Sequence, residues 1–239
     1  HGLFLADEKS RSLNDSVLIF GLMKLMIERD EKLMKSLTIS EICRVLPNNK
    51  ITKPIDEFAG LRAAVSIILR MNGGSIEILF ILRALRDGDP WSGQIAFPGG
   101  HSEPQDQSMR ETAERETSEE IGIDLNKVAK YLGEIEPISA IPRKTRKELT
   151  VYPFVYLLND PEPFIDLNYE VSEIIWGSLI DMYRGDSQTE YMFKMDGKEQ
   201  SFPGYDLGAH TVWGLTYRMI HIFFEAADSD WQFNLSKSS

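Results

Sequence analysis

The chain has 239 residues, 42% of them hydrophobic, which suits one substantial domain with additions. Its formal net charge of −11 argues against broad nucleic-acid binding, which needs a basic face. No stretch is apolar for long enough to span a bilayer, and the single Cys43 excludes an internal disulfide and suits the cytoplasm or another reducing soluble compartment.

From about 14 to 37, Val17, Phe20, Met23, Leu25, Met26, Ile27 and Leu33 recur at mostly helical spacing, so one or two helices are expected. The run Val17 to Ile27 is broken by Gly21 and Lys24 and followed by Glu28, Arg29 and Asp30, which reads as a packed helix rather than a signal peptide. Met23, Met26 and Met34 are read as core fillers ahead of a sticky binding face. Ile39 to Leu46 predicts a short helix, and Pro47-Asn48-Asn49-Lys50 a turn. Residues 1–58 are therefore expected to form an N-terminal helical extension. Packing on the same domain and a homodimer surface both remain open for it.

Strands are expected over Ala63 to Leu69 and Ile76 to Leu82, joined at Asn72-Gly73-Gly74 by a hairpin turn. Gly88-Asp89-Pro90 should turn the chain, and Gln94 to Phe97 should form a strand leading to a glycine turn at Gly99-Gly100. Ser108 with Glu111 three residues on is a capping-box pattern, and Gly122 suits a left-handed helix end, so a helix is expected between them. On it Glu116, Glu119 and Glu120 share one face. Three crowded carboxylates repel one another, and a hard divalent cation taking oxygen ligands would relieve that. Arg115, four residues from both Glu111 and Glu119, can hold those acids by ion pairs. A solvated charged face is the plainer reading of a glutamate-rich helix.

Beyond this helix, Val128 to Ile135 and Leu149 to Leu158 are expected strands. The connection between them carries the basic cluster Arg143-Lys144-Thr145-Arg146-Lys147, where Arg143 or Arg146 is a candidate phosphate contact and a solvated loop the alternative. Ser172 to Trp176 predicts a strand followed by a helix through Tyr183. Met192 to Met195 and Gln200 to Phe202 predict a hairpin around Asp196-Gly197. Ala209 to Ala226 predicts an amphipathic closing helix, and the polar tail 229–239 is expected to fray.

Taken together, Gly99-Gly100, Arg115-Glu116, Glu119-Glu120 and Gly122-Ile123 resemble the box of the Nudix hydrolase family. That box runs Gly, five residues, Glu, seven residues, Arg-Glu-apolar-x-Glu-Glu-x-Gly-apolar. Thr117 stands at the usual aliphatic position. Asp106 stands at the first acid position, with eight residues rather than seven between it and Arg115. That longer spacing resembles the coenzyme A pyrophosphatase branch. Arg83-Ala84 and Gly93 with Phe97-Pro98-Gly99-Gly100 also fit that branch, while the middle, Gly88-Asp89-Pro90-Trp91-Ser92, is one residue longer and lacks its arginine.

The resemblance implies an α/β/α sandwich around a mixed sheet over 59–228, cleaving a nucleoside diphosphate linked to another moiety, with coenzyme A or a derivative as the candidate. It implies Mg²⁺ or Mn²⁺ held by Glu116 and Glu120, with Glu119 as a further ligand or base and the Gly100 carbonyl as a further donor. Arg115 would hold the glutamates and Asp106 would orient that network. Glu119 is the first choice of base, with Glu170 and Glu148 as candidates outside the box. The expected substrate contacts are Arg83, Trp91, Gly99, Arg143 and Arg146, with Trp91 equally able to stack on a base or to cover the core. A nucleoside triphosphate clean-up hydrolase and a non-catalytic nucleotide-binding regulator are the alternatives. The expected partner is a phosphorylated small molecule, with neither nucleic acid nor membrane.

Overall fold

The computed structural model describes residues 36–52, 60–86, 91–140, 148–195 and 197–232. The expected helices before residue 36, the turn at Gly88-Asp89-Pro90, and Arg143 and Arg146 lie outside the described residues.

The first described helix is α1, Ile39–Val45, followed by a single 3₁₀ turn, Leu46–Asn48. Thr38 caps α1 reciprocally with Glu41, satisfying donors that the first helical turn leaves open. Next come β1, Leu61–Asn72, and β2, Ser75–Arg83. Both are longer than the apolar runs predict, because pairing carries the ladder past the buried segment. Gly73 and Gly74 both take positive φ, as a two-residue hairpin turn requires. Two short strands follow, β3, Ile95–Ala96, and β4, Gly99–His101.

Then come α2, Met109–Ile121, α3, Leu125–Val128, β5, Ala129–Glu134, β6, Ile138–Ala140, and β7, Leu149–Leu158. The chain continues through β8, Val171–Ser178, α4, Leu179–Arg184, β9, Gln188–Met195, and β10, Lys198–Asp206. It closes with β11, Thr211–Trp213, and α5, Gly214–Ala227.

Among the described residues, eight strands make one mixed sheet. Its path is β3-β2-β1-β7-β5, with β4 on β1, β6 on β7 and β8 on β2. β1 and β7 run parallel and the other pairs antiparallel. Alternation along β1 sends its side chains to two layers. Ala64 and Ile68 pack with Ala113 and Ile121 of α2, whereas Ala63, Val65, Ile67 and Leu69 pack with Ile220 and Phe224 of α5 and with Ile42 of α1. Helices thus cover both faces of the sheet, the sandwich the resemblance implies. Burying each such Ile or Phe contributes about 1.5–3 kcal/mol.

Three local expectations differ from the structure. Gly99-Gly100 lies in β4, paired with Val65 and Ala64, and is not a free turn. The closing helix starts at Gly214, because Thr211–Trp213 pairs with Gly204–Asp206 as an edge strand first. The tail is anchored at its start, where Trp231 is buried and its indole N–H donates to the Tyr183 carbonyl at 3.0 Å. Among the described residues no helix is long and apolar enough to cross a membrane.

Candidate active site

A cleft of about 890 Å³ opens beside β4, where one rim is acidic and the opposite wall apolar. The acidic rim is built by α2. Ser108 Oγ accepts the Glu111 N–H at 3.1 Å, and Gly122 ends the helix with φ 73°, as the sequence implies. The capping is not fully reciprocal, however. Glu111 turns outward to accept the Gln107 N–H at 2.7 Å, which is why it is not a partner of Arg115 as expected.

Arg115 instead gathers four groups. Its Nε and Nη2 donate to the two oxygens of Asp106, each at 3.0 Å, and Nη2 also reaches the His101 carbonyl at 3.1 Å. Nη1 donates to Glu116 at 3.0 Å and to Glu119 at 3.2 Å. This fork places two carboxylates on one side of the guanidinium and the orienting acid on the other.

Asp106 is fixed further by the Glu103 N–H and the Thr112 hydroxyl, both at 2.9 Å. The Glu103–Asp106 turn therefore absorbs the extra residue before Arg115 and still delivers an acid to its guanidinium. Hydrogen bonds from Arg115 hold the Asp106 carboxyl well below the usual range despite its cover, and Asp106 correspondingly raises Arg115.

Glu120 sits deeper, with its side chain only 3% exposed. It accepts the Gly99 N–H at 2.8 Å and lies 3.8 Å from Arg83. Burial pushes its carboxyl up to about 7, against the Gly99 hydrogen bond and the Arg83 charge. Burial also raises Glu116, opposed by Arg115. Both are desolvated anions whose neighbours only partly compensate them.

The glycine pair makes this closeness sterically feasible. A Cβ on Gly99 would lie 2.2 Å from the Ala64 carbonyl oxygen, and its φ of 154° favours glycine as well. A Cβ on Gly100 would meet the Glu116 carboxyl carbon at 2.4 Å.

The chemistry of these donors fits a hard divalent ion. All are oxygens, two carboxylates carry unrelieved charge, and the Gly100 backbone approaches one of them. Among the described residues no three Asp, Glu, His or Cys side chains gather tightly enough to enclose an ion unaided.

Of the sequence-predicted residues, Arg83, Trp91, Gly99, Gly100, Glu116, Glu119, Glu120 and Glu170 all line this cleft, and Arg115 stands behind the glutamates. Glu170 accepts from Arg86 at 2.6 Å, and that guanidinium lies over the Tyr169 ring. Glu148 is exposed and is not part of the cleft lining. Its carbonyl accepts the Leu61 N–H instead. Trp91 both lines the cleft and packs on the core, so neither of its two readings displaces the other.

The sequence reading missed Glu103, Asn168 and the aromatic wall of Phe193, Phe202 and Trp213. The wall's only sequence signal is the alternation Tyr191-x-Phe193 beside a hairpin turn.

Residues 60–194, more than half of the chain, match the family described as the NUDIX domain. The mitochondrial coenzyme A diphosphatase NUDT8 of Mus musculus is 31% identical over 157 residues, covering 64% of this chain and 72% of that protein. The peroxisomal coenzyme A diphosphatase ndx-8 of Caenorhabditis elegans is 29% identical over 156 residues, covering 64% of this chain and 59% of that protein. A solved Ap4A hydrolase of C. elegans is 24% identical, covering 52% of this chain and 84% of that one, at a TM-score of 0.40. The matched segment contains the whole Asp106–Arg115–glutamate arrangement, and the chain belongs to the Nudix hydrolase family.

Proposed function

We propose that this chain hydrolyses the diphosphate bond of a nucleoside diphosphate joined to a second moiety, with coenzyme A or a derivative as the substrate class. The observation that carries the reading is the Arg115 fork, pinned by Asp106, which presents Glu116 and Glu119 to the same cleft that buries Glu120. The names of the mouse and nematode relatives support the substrate class.

Glu116 and Glu120, with the Gly100 carbonyl, would hold Mg²⁺ or Mn²⁺. Such an ion neutralises diphosphate oxygens and lowers the pKa of a water it binds. The chain's own groups do the rest. Arg83, positioned on β2 beside Glu120, supplies a fixed cation toward a phosphate oxygen. Glu119, whose side chain is 56% exposed and accepts from Arg115 at 3.2 Å, is the first candidate to take a proton from a water, in place of serving as a metal ligand. Glu170 is the second candidate for that role, held back by its pair with Arg86. Water's oxygen joins one phosphorus as the bridging P–O bond breaks, and each half leaves as a phosphomonoester.

The test is a panel of coenzyme A, NADH, ADP-ribose, dinucleoside polyphosphates and oxidised deoxynucleoside triphosphates, with Mg²⁺ or Mn²⁺ and mass analysis of products. Coenzyme A should yield two phosphomonoesters. Turnover confined to triphosphates would favour a clean-up role, and no turnover of any compound would favour a nucleotide-binding regulator.

A further inference from the structure

The acidic rim accounts for one end of the cleft and leaves the other unassigned. That other end is walled by the three-stranded sheet β9–β10–β11 and the start of α5. Register places Phe202 opposite Tyr191 and Gly204 opposite Trp213. Since alternate residues share a face, Tyr191, Phe193, Phe202 and Trp213 all lie on one side of this sheet. Their rings touch. Trp213 stacks on Tyr191 at 4.5 Å and lies 5.0 Å from Phe193 and 5.5 Å from Phe202. Phe193, Phe202 and Trp213 are each only partly covered, and all three face the cleft.

Three further features define what this end would take. The sheet also contributes Val65, Leu149 and Val151, and α5 contributes Leu215 and Met219, so the walls are largely aliphatic where they are not aromatic, with Gln94 a polar side chain in the lining. The Thr216 hydroxyl is spent on the Ile95 carbonyl at 3.0 Å. Among the described lining residues every Asp, Glu, Arg and His belongs to the rim side, on β2, β4, α2 or the 101–103 and 168–170 segments. A nucleobase needs partners for its polar edge, and a phosphate needs cations. A flexible, uncharged chain needs neither and fills an uneven apolar wall. The family match ends at residue 194, before β10, β11 and α5.

We infer that the Phe193–Phe202–Trp213 wall is a subsite for an uncharged alkyl chain carried by the moiety on the far side of the diphosphate. This rests on the diphosphatase reading, since it needs the phosphates to sit at the acidic rim of the same cleft. Burying successive methylenes should then tighten binding, with little effect on the bond-breaking step.

The test uses the full chain in Mg²⁺ buffer and a series of adenosine diphosphate esters bearing methyl, butyl, octyl and dodecyl groups. KM should fall about tenfold or more from methyl to octyl, at similar kcat. Phe193→Ala and Phe202→Ala, both at part-covered positions, should each shrink that methyl-to-octyl KM ratio severalfold. A ratio near one in the unaltered chain, with the esters turned over, would overturn the subsite and leave the diphosphatase reading standing. If no ester is cleaved, calorimetric binding of methylene-diphosphonate analogues decides. Tighter binding with chain length supports the subsite alone, and length-independent or absent binding overturns it.

Discussion

The two ends of the cleft are built by different means. The Arg115–glutamate part of the acidic rim comes from one helix and the strand before it, over fewer than thirty residues from Phe97 to Ile123, with Arg83 and Glu170 added from elsewhere in the chain. The aromatic wall comes from strands β9 to β11 and α5, held together only by tertiary pairing. At the first end Asp106, Arg115, Glu116, Glu119 and Glu120 are each positioned by a named hydrogen bond. At the second, rings and aliphatic chains are positioned by packing. The chemistry should therefore fail at the first end when one atom changes, whereas the second should respond in proportion to the apolar surface removed.

The largest expected effect is at the rim. Glu120→Gln should lower turnover on the order of a thousandfold, while leaving thermal stability unchanged or higher, because it removes a buried anion that is only partly compensated. A circular-dichroism melt beside the rate assay checks both. Equal loss of fold and activity would remove the distinction between the two ends.

Asp106→Asn should cost about 10–100-fold in activity through Arg115, without touching substrate. Asp106→Glu should restore part of it only if the Glu103–Asp106 turn yields, so the size of rescue measures how rigidly that turn sets the fork.

The pH response should separate the buried rim glutamate from the aromatic packing around His221. His221 on α5, against Tyr205, Tyr217 and Trp231, is pushed down to about 4 by burial. Below about 6.5 the unfolded chain takes a proton that the folded chain refuses, so stability falls as pH drops from about 6.5 to about 4. The expected loss is about 3 kcal/mol. Glu120 has the opposite sign. Raised to about 7, it costs the metal-free fold progressively more as pH rises from about 4.5 through 7, and that cost is absent below. Urea unfolding in EDTA should show a steeper acid loss in Glu120→Gln than in the unaltered chain, and a flatter one in His221→Gln.

The smallest effect concerns the buried contact that replaces an aliphatic residue of the box. Thr117 donates to the Ala113 carbonyl at 2.7 Å and stands 2.8 Å from the Ser66 hydroxyl, which itself reaches Ala113 at 3.2 Å. Thr117→Val and Ser66→Ala should each cost about 1 kcal/mol, and the double change should cost less than their sum, because the hydroxyl–hydroxyl contact is lost in either single change and can be lost only once. Additive costs in a double-mutant cycle would show that the two hydroxyls act independently.

These contrasts also explain what could be read without coordinates. The α2 boundaries, the glutamate face and the strands β1, β2 and β7 were legible because each depends on local periodicity or capping, whereas Asp106 as the orienting acid follows only from the family resemblance. Glu111 was misassigned to Arg115 because i,i+4 spacing permits that pair, while the open N–H of Gln107 captures the carboxylate. Gly99-Gly100 was read as a turn because nothing local reveals its pairing with β1. The start of α5 was placed early because Val212 and Trp213 fit a helix period and a strand alike, and only Gly204–Asp206 settles the choice. The hairpin around Asp196-Gly197 is local, but the aromatic wall is complete only when Trp213 joins it through β11, whose pairing with β10 nothing local reveals.

The most direct test of the central account is a metal titration. The full chain, stripped with EDTA and dialysed, should show no hydrolysis of its best diphosphate substrate, recover it on adding Mg²⁺ or Mn²⁺, and fail to recover it in Glu120→Gln. Turnover that survives chelation, or that Mg²⁺ restores equally in Glu120→Gln, would contradict the assignment of the buried rim glutamate to the reaction.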